Sequence, residues 1–186
     1  MSSQGKKIIN DTYELIKQTE EEYGVELSST QKILTSLGPI GVPLGALYGT
    51  LRLFVLKQFV KEANEEEAKL LDVDVGDEIV YREVIVFKSG RPLFYGLSYI
   101  PTERCNDEIL KTLLDEEATI DVILSRNNIE TIRDVTGLTV IKATPLLQEL
   151  FNTNEDMLRR EYTITQHGTI RLWAKEIYPL SYFRDI

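Results

Sequence analysis

The run Thr169-Ile170-Arg171-Leu172-Trp173-Ala174-Lys175-Glu176-Ile177-Tyr178 constrains the fold more than any other stretch of the chain. Its period of two puts Ile170, Leu172, Ala174, Glu176 and Tyr178 on one face, with Thr169, Arg171 and Lys175 on the other, which reads as a strand buried on one side. Glu176 falls on the apolar face. A charge placed there must be paired, hydrogen-bonded or protonated, because an uncompensated buried carboxylate is very costly. Arg82 and Arg160 fall in similarly apolar phases upstream. A sheet that buries one acid and two cations suggests a pocket for a small carboxylate.

The partner strand is readable from the sequence. Leu158 to Gln166 and Ile170 to Ile177 form a hairpin, and a three-residue loop His167-Gly168-Thr169 matches Tyr162 with Ala174, Ile164 with Leu172 and Arg160 with Glu176. Geometry alone leaves two readings of the last pair, a structural salt bridge or part of a ligand site. A second hairpin joins Ile79–Lys88 to Leu93–Ile100 through Ser89-Gly90-Arg91-Pro92. With Ser89-Gly90-Arg91 as its loop, Arg82 faces Ser98 and Val84 faces Gly96, and these small residues leave space above the sheet.

Around the hairpins, Ile8, Tyr13, Ile16 and Tyr23 mark an amphipathic helix over 5–23, and Ser28-Ser29-Thr30 caps a second one through Ser36. A Gly/Pro segment, 37–49, leads into a strand over 50–58, and 62–78 reads as a charged connection ending in a turn. Asn106 or Asp107 caps a helix through Leu114, a helical turn spans Thr119–Leu124, a strand runs from Asn128 to Val135, and Leu146–Phe151 forms a short helix.

At 186 residues, with 42% apolar and 27% charged, the chain reads as a single globular domain over 1–186, in which 1–28 is an N-terminal helical extension. A net charge of -9 argues against nucleic-acid and anionic-membrane partners, whose phosphates demand clustered Lys and Arg. One cysteine, Cys105, excludes an internal disulfide, and a lone histidine, His167, disfavours a histidine-based metal site or triad, so no metal is expected. The opening MSSQGKK has no apolar signal core, which points to the cytoplasm. The uncharged stretch between Lys32 and Arg52 is broken by six Gly and Pro residues, among them Gly38, Pro43 and Gly49, which favours a buried loop or broken helix over a membrane span. His167 reads as an exposed turn residue, Cys105 as incidental, and the runs Glu20–Glu22 and Glu65–Glu67 as solvated helix faces.

The order and spacing of Tyr81-Arg82-Glu83-Val84, the Gly90/Pro92 turn, Ser98-Tyr99-Ile100-Pro101, Arg159-Arg160-Glu161-Tyr162 and Lys175-Glu176-Ile177-Tyr178-Pro179 resemble the chorismate lyase-like superfamily. That group holds bacterial chorismate lyase, archaeal relatives and the effector-binding UTRA domains of transcription regulators. The resemblance covers residues 30 to 183 and implies an α+β fold, an antiparallel sheet of about six strands with helices on one side and the ligand enclosed between sheet and helical flaps. It also implies a cofactor-free elimination of pyruvate from chorismate that leaves 4-hydroxybenzoate. Arg82 matches the arginine that holds the ring carboxylate, and Glu176 the glutamate that meets the hydroxyl at the far end of the ring. Both are expected to be catalytic. Backbone amides near Ile40, Gly41 and Ile120 match positions that add contacts to the carboxylate. Arg160 is expected as a second carboxylate ligand and Ser98 as a pocket residue. The chain departs from the family at Asp121, where Gly is common, and in the longer Gly38–Gly45 loop.

The chemistry suits those residue types, since a planar guanidinium grips a carboxylate bidentately, while a carboxyl group in an apolar pocket can accept from a hydroxyl or exchange its proton. Two functions stay open, a chorismate lyase and a non-catalytic, UTRA-like binder of small aromatic carboxylates. A buried acid favours the enzyme, because binding an anion gains nothing from it.

Overall fold

The computed structural model describes residues 3–36, 40–115, 123 and 132–184. Ile120, Asp121, most of the expected turn at Thr119–Leu124 and the Asn128–Thr131 part of an expected strand lie outside them. The described chain runs α1 (Ser3–Tyr23), α2 (Ser29–Ser36), α3 (Gly41–Tyr48), β1 (Arg52–Glu62), α4 (Glu65–Leu71), β2 (Glu78–Lys88), β3 (Arg91–Pro101), α5 (Asp107–Asp115), β4 (Ile132–Ile141), α6 (Pro145–Phe151), β5 (Met157–Gln166) and β6 (Thr169–Pro179). The strands form one antiparallel six-stranded sheet in the order β1-β2-β3-β6-β5-β4.

The sheet is apolar on both faces, which decides where the helices go. Leu34, Ile40 and Leu44 of the α2–α3 region pack on Val86, Phe94, Leu158 and Tyr178, while Ile109 and Leu113 of α5 pack on Val80, Ile100, Ile164 and Leu172 of the same face. Each such aliphatic side chain, once buried, contributes roughly 1.5–3 kcal/mol, enough to hold short helices on the sheet. The opposite face carries Ile79 and Trp173, covered by α4, and Ile85 and Ile177, covered by α6. Beyond the expected cover on one side, therefore, two short helices lie on the other.

Both central hairpins keep the expected register by an unexpected route. Ser89 and Gly90 have φ of 51° and 81°, and His167 and Gly168 have 51° and 80°, so each connection is a two-residue turn with both residues at positive φ. Each turn is followed by a bulge. Leu93 is the extra residue between the pairs Phe87/Pro92 and Val86/Phe94, and Arg171 the extra one between Thr165/Ile170 and Ile164/Leu172. A two-residue turn plus one bulged residue has the same count as a three-residue loop. Arg82 thus faces Ser98, Val84 faces Gly96, Arg160 faces Glu176 and Tyr162 faces Ala174, as read from the sequence.

Two other segments differ from their sequence readings. The segment read as a Gly/Pro loop contains helix α3, because Pro43 lies in its first turn, where no intrahelical N–H is required, and Gly49 ends it at φ 78°. The charged connection contains α4, whose Asn64 accepts from the Glu67 N–H while the Glu67 side chain accepts from the Asn64 N–H. Glu67 is accordingly buried, held by Lys61 at 2.8 Å, and only the rest of that acidic run is solvated.

The two halves of the sheet are built alike. Each consists of a strand, a seven-residue helix ended by a left-handed residue (Asp72 or Asn152), and a bulged hairpin, β1-α4-β2-β3 and β4-α6-β5-β6. Arg82 and Arg160 occupy the same place before their respective turns, and so do their cross-strand partners Ser98 and Glu176.

Candidate active site

A cavity of about 510 Å³, its mouth included, opens on the sheet face that α2 and α3 cover. Arg82, Ser98, Gly96, Tyr162 and Glu176 line it from β2, β3, β5 and β6, and Gly41 lines it from the start of α3. Space exists there because of small side chains: a Cβ built on Gly96 would stand 3.0 Å from Val84 Cγ2, so this position has no room for alanine without movement.

Arg82 is 2% exposed, and its Nε donates to Gln58 Oε1 at 2.7 Å. Gln58 reaches it from the facing position on β1 and donates in turn to the Leu114 carbonyl at the end of α5. Burial pulls the Arg82 pKa down to about 10, still far above neutrality. The group is therefore a desolvated cation at working pH.

Glu176 is 6% exposed, and both its oxygens are engaged. Arg160 Nη2 donates to Oε2 at 2.6 Å, and Tyr162 OH donates to Oε1 at 3.2 Å. The remaining geometry of Arg160 explains its burial, since Nη1 donates to the carbonyls of Leu34 (2.7 Å) and Thr35 (3.2 Å) in the last turn of α2. Those carbonyls have no partner within their own helix, and a cation is favoured beside them. Arg160 is thereby a bracket that fastens α2 over the sheet while orienting Glu176. The Tyr162 ring lies between two guanidiniums, Arg160 at 4.9 Å and Arg133 at 4.8 Å from its centroid, which fixes the phenol against the carboxylate.

The sequence-read residues separate on this geometry. Arg82, Ser98, Gly41 and Glu176 line the cavity. Arg160 touches Glu176 from behind, where the salt-bridge reading had it. Ile40 is different: its side chain is 1% exposed in the apolar core, and its carbonyl accepts from Leu44 N, so only backbone near it can face a ligand. Ile120 lies outside the described residues. Tyr162, Gln58 and Lys175 were missed. Tyr162 had a signal, a hydroxyl in the apolar phase two residues after Arg160, but Gln58 becomes a partner of Arg82 only through the β1 bulge at Leu56, which no local pattern marks. Lys175 lines the rim, and burial lowers its pKa. No cluster of His, Cys, Asp and Glu able to hold a metal occurs among the described residues, and no described helix is long and apolar enough to cross a membrane.

The fold is shared with domains of transcription regulators. PhnF from Mycobacterium smegmatis superposes with a TM-score of 0.63 at 17% identity, over 77% of this chain and 64% of that one. The ligand-binding domain of a GntR-type regulator from Bordetella bronchiseptica superposes with a TM-score of 0.59 at 15% identity, over 69% of this chain and 84% of that one. At such identities the likeness concerns the fold alone. In sequence, the Methanocaldococcus jannaschii protein MJ0807, named as a candidate lyase, is 30% identical over 104 residues, 53% of this chain and 56% of that protein. The chain thus spans little more than half the length of this relative. A six-stranded antiparallel α+β sheet, a buried arginine and glutamate around one cavity, and a match of residues 45–184 to the family described as chorismate pyruvate-lyase, Rv2949c-like, together place the chain in that family.

Proposed function

We propose that the protein is a chorismate pyruvate-lyase that converts chorismate to 4-hydroxybenzoate and pyruvate. The observation that carries this reading is the meeting of Arg82 and Glu176, from β2 and β6, in one cavity above small residues. Arg82 holds the ring carboxylate through its guanidinium, with the Gly41 amide and Ser98 hydroxyl beside it. Glu176, oriented by Arg160 and Tyr162, meets the ring hydroxyl. The ring carbon that bears the hydroxyl loses its hydrogen as a proton, the C–O bond to the enolpyruvyl group breaks, and the ring becomes aromatic. Enolpyruvate takes up a proton to become pyruvate. Aromatisation makes the reaction strongly downhill, so the protein's work is orientation and proton management.

The competing reading is a non-catalytic binder of aromatic carboxylates, favoured by the regulator domains that share the fold and by the ion pair that Glu176 makes with Arg160. Incubating the purified chain with chorismate and following pyruvate and 4-hydroxybenzoate separates the two. A chain that binds 4-hydroxybenzoate but releases no pyruvate above the uncatalysed rate is a binder.

A further inference from the structure

A second cavity opens on the same face of the sheet, beneath α5, and none of its lining residues is shared with the first. It measures about 780 Å³ with its mouth included. Ile100, Ile109, Leu113 and Leu172 make its walls apolar, and Arg171 and Cys105 supply polar groups.

Arg171 is the residue that needs an explanation. Strict alternation puts it on the face opposite Leu172, yet it lines the same cavity, because it is the bulged residue of the β5–β6 hairpin and a bulge re-aims its side chain. It is partly buried. Its Nη1 donates to the Arg104 carbonyl, while its Nε is buried and has no hydrogen-bond partner. Among the described residues no carboxylate pairs with it, although the chain carries 30 acidic side chains. The neighbouring Arg104 is in the opposite condition, donating to the carbonyls of Leu71, Asp72 and Ile170. Of two adjacent arginines, one is a structural clamp and the other keeps donors in hand beside an apolar hollow. Among the described residues the Nη2 of Arg171 makes no hydrogen bond and, unlike Nε, is not enclosed, so Nη2 is the donor a ligand in the hollow can meet.

We propose that this cavity is a second ligand site, for a small amphiphile whose single anionic group meets Arg171 and whose apolar ring or short chain lies between α5 and the sheet. The site is independent of the proposed lyase chemistry, since Arg82 and Glu176 take no part in it.

The chain carries its own reporter. Cys105 is the sole cysteine and lines this cavity, so its alkylation by N-ethylmaleimide, followed by intact-mass spectrometry, reads occupancy there and nowhere else. Saturating naphthalene-2-sulfonate should slow the reaction by about tenfold or more, and neutral naphthalene-2-methanol at the same concentration should protect far less, by the share of affinity that a charge-assisted hydrogen bond supplies. Arg171→Gln should raise the sulfonate concentration needed by about ten- to a hundredfold, Arg171→Lys by less, and Arg82→Gln should leave it unchanged. Ile109→Phe fills the hollow without touching a polar group and should abolish protection in a chain that still melts cooperatively, which keeps the test open should Arg171→Gln fail to fold. Absence of protection, equal protection by the neutral alcohol, or an unchanged midpoint in folded Arg171→Gln overturns the proposal. Protection lost in Arg82→Gln instead assigns the sulfonate to the other cavity and overturns it too.

Discussion

Replacing Glu176 by Gln separates the chemistry of the site from its architecture. The amide oxygen can still accept from Arg160 Nη2, now 2.6 Å from Oε2, and the amide NH2 can donate to the Tyr162 hydroxyl oxygen, now 3.2 Å from Oε1. The Tyr162 hydroxyl, which donates to the carboxylate in the parent, must turn to accept instead. What disappears is the counter-charge of a 2%-exposed guanidinium that still keeps the Leu34 and Thr35 carbonyls. Deleting one partner of a buried pair outright costs about 3–5 kcal/mol, so with both hydrogen bonds retained about 1–3 kcal/mol is expected. In a chain of this size that lowers Tm by roughly 2–12 °C. Turnover behaves differently. If Glu176 manages a proton in the elimination, pyruvate release from chorismate falls by about two to four orders of magnitude, while affinity for 4-hydroxybenzoate changes far less. Melting temperature, calorimetric affinity and pyruvate release are to be measured on one preparation. Turnover within about threefold of the parent, alongside the lowered Tm, would refute the chemical role and leave Glu176 as the counter-ion of Arg160.

Arg82→Ala should weaken 4-hydroxybenzoate binding by roughly 2–5 kcal/mol, because the anion loses a desolvated partner, and unchanged calorimetric affinity in a folded variant rejects the assignment. Gly96→Ala brings a methyl group to 3.0 Å from Val84 Cγ2 and should cost about 1–3 kcal/mol in chemical denaturation, with Gly96→Ala/Val84→Ala recovering most of it. Burial pushes the Cys105 thiol up to about 11 from its ordinary 9, against the smaller pull of Arg171. Its alkylation rate should therefore keep climbing with pH well past 9, and the stability linked to that thiol is complete below pH 9 and lost as pH rises through 11; a rate that levels off near 9 contradicts the burial.

The hairpins were legible because their signal is local and repeated: alternation fixes the face, and the turn length fixes the partner. Arg82 opposite Ser98 and Arg160 opposite Glu176 follow from counting alone. The bulges at Leu93 and Arg171 were invisible, since a two-residue turn with a bulge and a three-residue loop give identical pairings beyond the turn. That ambiguity hid the position of Arg171, read as solvent-facing. Helix α3 was hidden for another reason, as Gly45 and Pro43 disfavour a helix in isolation, and burial of Ile40 and Leu44 overrides the propensity. The bracket of Arg160 on Leu34 and Thr35 joins groups more than a hundred residues apart, a distance no periodicity spans.

The likeness of the two half-sheets gives the pocket a direction. Rotated onto one another, the halves would offer a ligand two equivalent guanidiniums, and a flat molecule could settle in either of two opposed orientations. One difference in the paired position removes that degeneracy: Arg82 has the neutral hydroxyl of Ser98 opposite it on β3, whereas Arg160 has the carboxylate of Glu176 opposite it on β6. A planar guest with one acidic end then has a single polarity in which to lie. Moving the carboxylate across, by Ser98→Glu with Glu176→Ser, would transpose anchor and acceptor and turn the preferred guest end for end.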